Sequence, residues 1–285
     1  MHIQIWHTFK QSFKNVWQHK LEWFRVAFAP LVIWVLGILF MSLIFQAIGY
    51  PLAFHEAILG KIPAITMDQL PPINILISGF FAKVVHEVVY WVALISLMIN
   101  GFRYGVLQEG GKKWWTLHLN KRFWKMLAYM ILIIILFSVY TLIGVGIVAG
   151  AHYLFENIVL DIGLGALFIL YSFYAFLRIF LYSLLIAIDK THPLRTSWHL
   201  VKGNILRLVG LFLLIWVAIV GLFAGGALIF SLLGLLLALI SPVLMENVSV
   251  LVILFAGIFS YLISWAIFSK ACALVYQTLK KGKAA

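Results

Sequence analysis

From Leu208 to Ile240 the chain carries one main polar side chain, Ser231. At ~1.5 Å per residue this run exceeds the ~30 Å hydrocarbon core of a bilayer, yet it is too short for two crossings and a turn. The expectation is a single tilted or broken span, with the break near Gly221, Gly225 and Gly226. Other apolar runs of crossing length recur, and 64% of the 285 residues are hydrophobic against 11% charged. No water-soluble domain of this size hides so much apolar surface. The class is all-α and polytopic, a single membrane domain.

Six spans follow from the pattern, at about 26–48, 76–102, 126–151, 162–188, 208–240 and 250–279. The second is the least clean. Val88–Ile99 is too short to cross alone, so its span takes in Lys83, His86 and Glu87. Ahead of the first span, residues 5–25 place Trp6, Phe9, Phe13, Val16, Trp17, Leu21 and Phe24 at helical spacing, with Lys10, Lys14 and Arg25 opposite. Such a helix lies in the headgroup layer with its apolar face down. The alternative is a helix packed on a soluble partner.

The excess of 21 Lys and Arg over 9 Asp and Glu is a matter of topology, and it does not indicate nucleic-acid binding. Eighteen of the 21 fall on one side of the six spans, if Lys270 snorkels outward, and only Lys61 falls on the other. The positive-inside rule then places both termini in the cytosol. Seven tryptophans, Trp6, Trp17, Trp23, Trp114, Trp115, Trp124 and Trp198, share the basic segments. Indoles favour headgroup depth, where the ring is apolar and the N–H is wet. The expected cytosolic lipid contacts are therefore Lys10, Lys14, Trp17, Trp23, Arg25, Lys112, Lys113, Trp114, Trp115, Lys121, Arg122, Trp198, Lys202 and Arg207.

The same composition recurs three times. SFKNVWQHKLEWFR precedes the first span, WTLHLNKRFWK the third and SWHLVKGNILR the fifth. The expected architecture is three hairpins of spans, each preceded by a cytosolic-side amphipathic interfacial helix. Duplication and shared interfacial demand explain the pattern equally.

The passage LYSLLIAIDKTHPLRTSWHLVKGNILRLVGLFLL resembles a pattern in a group of bacterial integral membrane proteins. There a span ends at an Asp, and a short basic Ser-Trp helix leads into a long aliphatic span. The group includes the membrane domain attached to some glycerophosphodiester phosphodiesterases, and stand-alone six-span proteins of unassigned function. RYGVLQEGGKKWWTLHLNKRFWKML resembles the group's intervening loop. The resemblance implies a multi-pass protein of the bacterial inner membrane. The soluble phosphodiesterase domain has no counterpart, so its catalytic residues do not carry over.

Little in the chain reads as chemistry. His86-Glu87 opens an HExxH pattern that fails at Tyr90, and the one cysteine, Cys272, excludes an intrachain disulfide and a Cys-based metal site. No cofactor, metal or catalytic residue is expected, nor a cleavable leader. Arg178 is the notable charge. Ten residues before Ile188, it should lie ~15 Å from the cytosolic end of its span. A cation there costs upwards of ~2.5 kcal/mol without a carboxylate, carbonyls or water. It is either a structural partner of Glu87, the simpler reading, or a site for an anionic ligand, and His86 is a lesser candidate beside them. Lys83 stands four residues before Glu87 on the same face and is the bland partner for it. GxxxG pairs at Gly146/Gly150 and Gly221/Gly225 suggest close packing of spans. The functional expectation is a non-enzymatic protein that binds or helps move an anionic lipid or amphiphile. The alternatives are a scaffold or assembly partner, pairing with another membrane protein or with itself, and, third, a small-molecule transporter.

Overall fold

A computed structural model describes residues 2–47, 73–240 and 242–284. The loop carrying Glu56, Lys61 and Asp68 lies outside the described residues. The chain forms α1 (Ile5–Gln18), α2 (Lys20–Ala47), α3 (Ile73–Leu107), α4 (Lys121–Phe155), α5 (Ile158–Ile179), α6 (Tyr182–Ala187), α7 (Pro193–Val201), α8 (Ile205–Ile240) and α9 (Pro242–Ala284). Six stretches are long and apolar enough to cross a membrane: five lie in α2, α3, α4, α8 and α9, and the sixth joins α5 to α6.

α2 packs along α3, α4 along α5 and α8 along α9, and α3 and α9 also pack together. The α3–α9 seam is built on small residues. A Cβ on Gly101 would lie 2.3 Å from the Trp265 ring, and one on Gly105 would lie 3.1 Å from the Ala273 Cβ. The working GxxxG is thus Gly101-Phe-Arg-Tyr-Gly105, facing Ser269 and Ala273 one turn apart on α9. Glycines 146, 150, 221 and 225 fill no such role, since a Cβ on any of them meets no described atom within 4 Å. Gly144 is the close-packed glycine of α4, seated on the Phe168 ring.

Several expectations are corrected. The segment 5–25 is two helices that part at His19, and α1 packs on α8 and α9 rather than extending α2. Its inward stripe is Thr8, Ser12 and Val16, spaced four apart, which leaves Trp6 and Trp17 exposed. Residues 108–120 hold no helix, because the Asn120 side chain accepts from the Arg122 N–H and starts α4 directly. Only two of the three basic aromatic segments therefore form separate helices. α8 is continuous over 36 residues and does not break at its glycines. The turn expected over 241–249 is already helical from Pro242, a residue suited to a first helical position.

Lys270 points inward, not out to a surface. It is buried, and its Nζ donates to the Gly105 carbonyl at 3.2 Å. That carbonyl is among the last four of α3, which lack intrahelical donors and attract cations.

Candidate anion site

The fourth apolar stretch is broken where α5 ends at Ile179 and α6 begins at Tyr182. A break in a helix strands backbone groups, and burial makes them costly. Ser197 of α7, fully buried, satisfies two of them: its hydroxyl donates to the Arg178 carbonyl at 2.9 Å and accepts from the Leu181 N–H at 3.1 Å. Docking α7 on this break brings the next residue, Trp198, under the Arg178 side chain.

Arg178 is only 5% exposed. Its guanidinium lies 4.5 Å from the Trp198 ring centroid and 5.6 Å from that of Tyr174. Cation–π contact offsets ~0.5–2 kcal/mol of the burial, and the site in the last turn of α5 adds the negative end of a helix dipole. Among the described residues no carboxylate or carbonyl meets the group. Nε is enclosed without a partner, and the terminal nitrogens hold no hydrogen bond among the described residues.

The expected Arg178–Glu87 pair does not form. Glu87 is exposed on α3, two residues before Val89, whose side chain meets Gly37 of α2. Two residues are roughly 200° around a helix, so Glu87 faces away from the bundle. Lys83 is exposed as well and makes no ion pair with it. His86 is half-buried, with its Nδ1 enclosed and unpartnered. Arg178 is brought together with Tyr174 and Trp198, and not with Glu87.

The basic end of the bundle holds three carboxylates, and each is engaged. Asp189, in a left-handed turn with φ 59°, receives Arg122 Nε at 2.7 and 2.8 Å and Nη2 at 2.6 Å. Arg122's guanidinium holds the Asp189 carboxyl below its ordinary range. Arg103 donates to the Ala187 carbonyl at 2.8 Å, reaches Asp189 at 3.5 Å and pairs with Glu109. Glu22 accepts from the Tyr104 hydroxyl and lies 3.2 Å from His19. Asn100 ties the loop down, donating to the Val26 carbonyl at 2.9 Å and the Thr116 carbonyl at 2.8 Å, while His118 Nδ1 lies 2.5 Å from its Oδ1. Burial, then Arg103 and Arg122, push the His118 imidazole below its ordinary value. Arg103 was not singled out from the sequence, and Asp189 entered only as the Asp at which a span ends. The signal was there: Glu22, Glu109 and Asp189 are isolated acids among many bases.

The expected lipid contacts divide. Lys10, Lys14, Trp17, Lys112, Lys113, Trp114, Trp115, Lys121 and Lys202 are exposed. Arg25 lies over Trp114 at 5.1 Å, Arg122 holds Asp189, Trp198 holds Arg178, and Arg207 reaches the Ile3 carbonyl at 3.5 Å. Trp23 is a correction. It is 3% exposed, edge-on to Tyr104 and Trp265 at the heart of the bundle, with its N–H on Asn15. Its place in a basic segment set it among the interfacial residues, but that segment breaks at His19, where the helix changes course.

Long apolar helices, small residues in the packed seam and a basic aromatic end together define a multi-pass helical membrane protein. Against family models, curated proteins and solved structures alike, the chain finds no match.

Proposed function

We propose that the protein is a non-enzymatic component of the bacterial inner membrane that binds, or helps to move, an anionic lipid or amphiphile. In this reading the basic end and both termini face the cytosol, and Arg178 receives the ligand's anionic group. The observation that carries it is the buried guanidinium with no acceptor among the described residues. An unpaired buried charge costs several kcal/mol, and stacking on Trp198 returns only part of that. A phosphate or carboxylate oxygen at the terminal nitrogens would complete the site, in the bidentate geometry a guanidinium favours. The resemblance to the phosphodiesterase-linked membrane domain supports the same setting, since its marker residues Asp189, Ser197 and Trp198 are those that build this corner.

The test is retention of native lipid. The protein is purified in mild detergent, and bound lipids are compared by mass spectrometry with the bulk membrane. Enrichment of an anionic lipid in the wild type, lost in Arg178→Gln and partly kept in Arg178→Lys, supports the proposal. A wild-type lipid set that mirrors the membrane overturns it.

The scaffold reading loses its lock, because Arg178 and Glu87 do not meet. What favours it is the exposure of α4, of which only 6% is buried over its most apolar stretch. That leaves a face for a membrane-protein partner or a second copy. Blue-native electrophoresis in mild detergent tests it, and a strictly monomeric band counts against it. The transporter reading is weakened by the unbroken α8.

A further inference from the structure

Beneath the joint of α1 and α2 runs a groove of about 930 Å³. That is near the top of the ~300–1,000 Å³ range of small-molecule sites. Its walls come from three places: Phe13 to Phe24 across the joint, Leu222 on α8, and Phe259 to Ile267 on α9. The α9 wall descends eight residues, ~12 Å at helical rise. Its surface is almost wholly apolar, and among the described residues no carboxylate lines it. Two cations do, Lys14 and Lys20, each on its own side of the His19 break. Neither makes an ion pair among the described residues, and Lys20 rests over the Trp17 ring at 5.2 Å.

We propose that this groove seats an acyl chain of an anionic phospholipid, with the lipid phosphate held between Lys14 and Lys20. The joint creates the site. A continuous helix over 5–25 would carry the lysines away from α9, whereas the break lays α1 against α8 and α9 and leaves the space beneath. Apolar walls running inward from a cationic rim match an amphiphile with its headgroup at the basic end, and they match neither a soluble anion nor an acidic peptide. The side chains that border the space include Trp17, Leu21 and Phe24, which are 70%, 51% and 42% exposed. The site is separate from Arg178, and it rests only on the reading that the chain lies in a bilayer with its basic end at the headgroups.

The test uses the full chain in nanodiscs of mixed phosphatidylglycerol and phosphatidylcholine. Each lipid in turn is doped with a diazirine-bearing acyl chain, and adducts are mapped by mass spectrometry. Phosphatidylglycerol adducts are expected to concentrate on Leu222 and on Phe259–Ile267. Ile263→Trp, or Leu222→Trp from the opposite wall, should remove them from the groove and leave those on α4 unchanged. Each cation near the surface favours anionic lipid about fivefold, so Lys14→Gln with Lys20→Gln should cut the phosphatidylglycerol preference by about 25-fold. Arg178→Gln should leave groove labelling intact, so failure at Arg178 and failure here are read separately. Labelling spread evenly over the apolar helices overturns the proposal, as does labelling by the two lipids alike. So does groove labelling that neither Trp variant displaces, or a groove that stays unlabelled, the result expected of a protein partner.

Discussion

The helices α3 and α9 differ from α4 in a way that inverts the usual sense of hydrophobicity. Half of the α9 apolar stretch is buried inside the protein, and its mean hydropathy is 1.7. For α4 the mean hydropathy is 2.8 and only 6% is buried. Among the described residues, the stretch of highest mean hydropathy is the least covered by protein. In water that would be unstable, and in a bilayer it is expected, because lipid tails are as apolar as leucine and no hydrophobic force gathers helices. Association there relies on close backbone approach and on polar contacts, so the packed seam carries Gly101, Gly105, Ser269 and Lys270, which lower hydropathy. α4 offers leucine and isoleucine on all sides and touches the rest mainly at Gly144 and near its basic end.

The contrast is most sharply broken by adding volume on each side of it. Gly101→Leu drives a side chain into the Trp265 ring and should destabilise the fold by ~1–3 kcal/mol or more. Gly146→Leu meets open space and should be close to neutral. Thermal unfolding in detergent compares the two, and equal losses would dissolve the distinction. Next in size is Ser197→Ala, which strands the Arg178 carbonyl and the Leu181 N–H at the α5–α6 break. The expected cost is ~1–3 kcal/mol. Hydrogen exchange should rise locally at Leu181 and Tyr182, while amides of the α3–α9 seam stay protected.

The ion pairs at the basic end should matter less. Arg122→Ala removes a partly exposed pair with Asp189, and exposed pairs contribute ~0.2–1 kcal/mol. Its pH signature is testable. The folded Asp189 pKa lies below the unfolded one, so its contribution is present above the ordinary carboxylate range and disappears as pH falls through the folded value. That acid-side loss should be smaller in Arg122→Ala. The smallest expected effect is at His118, also depressed in the folded state. Neutral His118 stabilises above the ordinary imidazole value of about 6.5, and the stabilisation is lost as pH falls toward the folded value. His118→Gln should flatten the melting profile between mildly acidic and neutral pH. An unchanged slope would mean that the imidazole titrates freely.

Much of the site was legible as residue types and little of it as geometry. Arg178 stood out because one cation in an apolar run is costly wherever the run lies. Its partner was misassigned because Glu87 was the sole carboxylate in another span, and sequence order does not say which way a side chain points around its helix. Trp198 was recognised as a basic-end aromatic, but its place under Arg178 depends on Ser197 filling a helix break that has no glycine or proline to announce it. The GxxxG pairs followed the same logic: three such pairs invite packing, and only the neighbouring helix selects Gly101 and Gly105.

Sequence alone determined the class, the number of long apolar helices and the concentration of cations at one end. Each follows from properties that add along a chain: length against bilayer thickness, transfer cost per residue, and charge. The tertiary structure decided what depends on facing. It set the joint at His19, the break at Ile179–Tyr182, the burial of Trp23, the inward turn of Lys270 and the separation of Arg178 from Glu87. Contacts between distant segments are a matter of rotation and depth, and a rotation of half a helical turn exchanges lipid for protein without altering a residue.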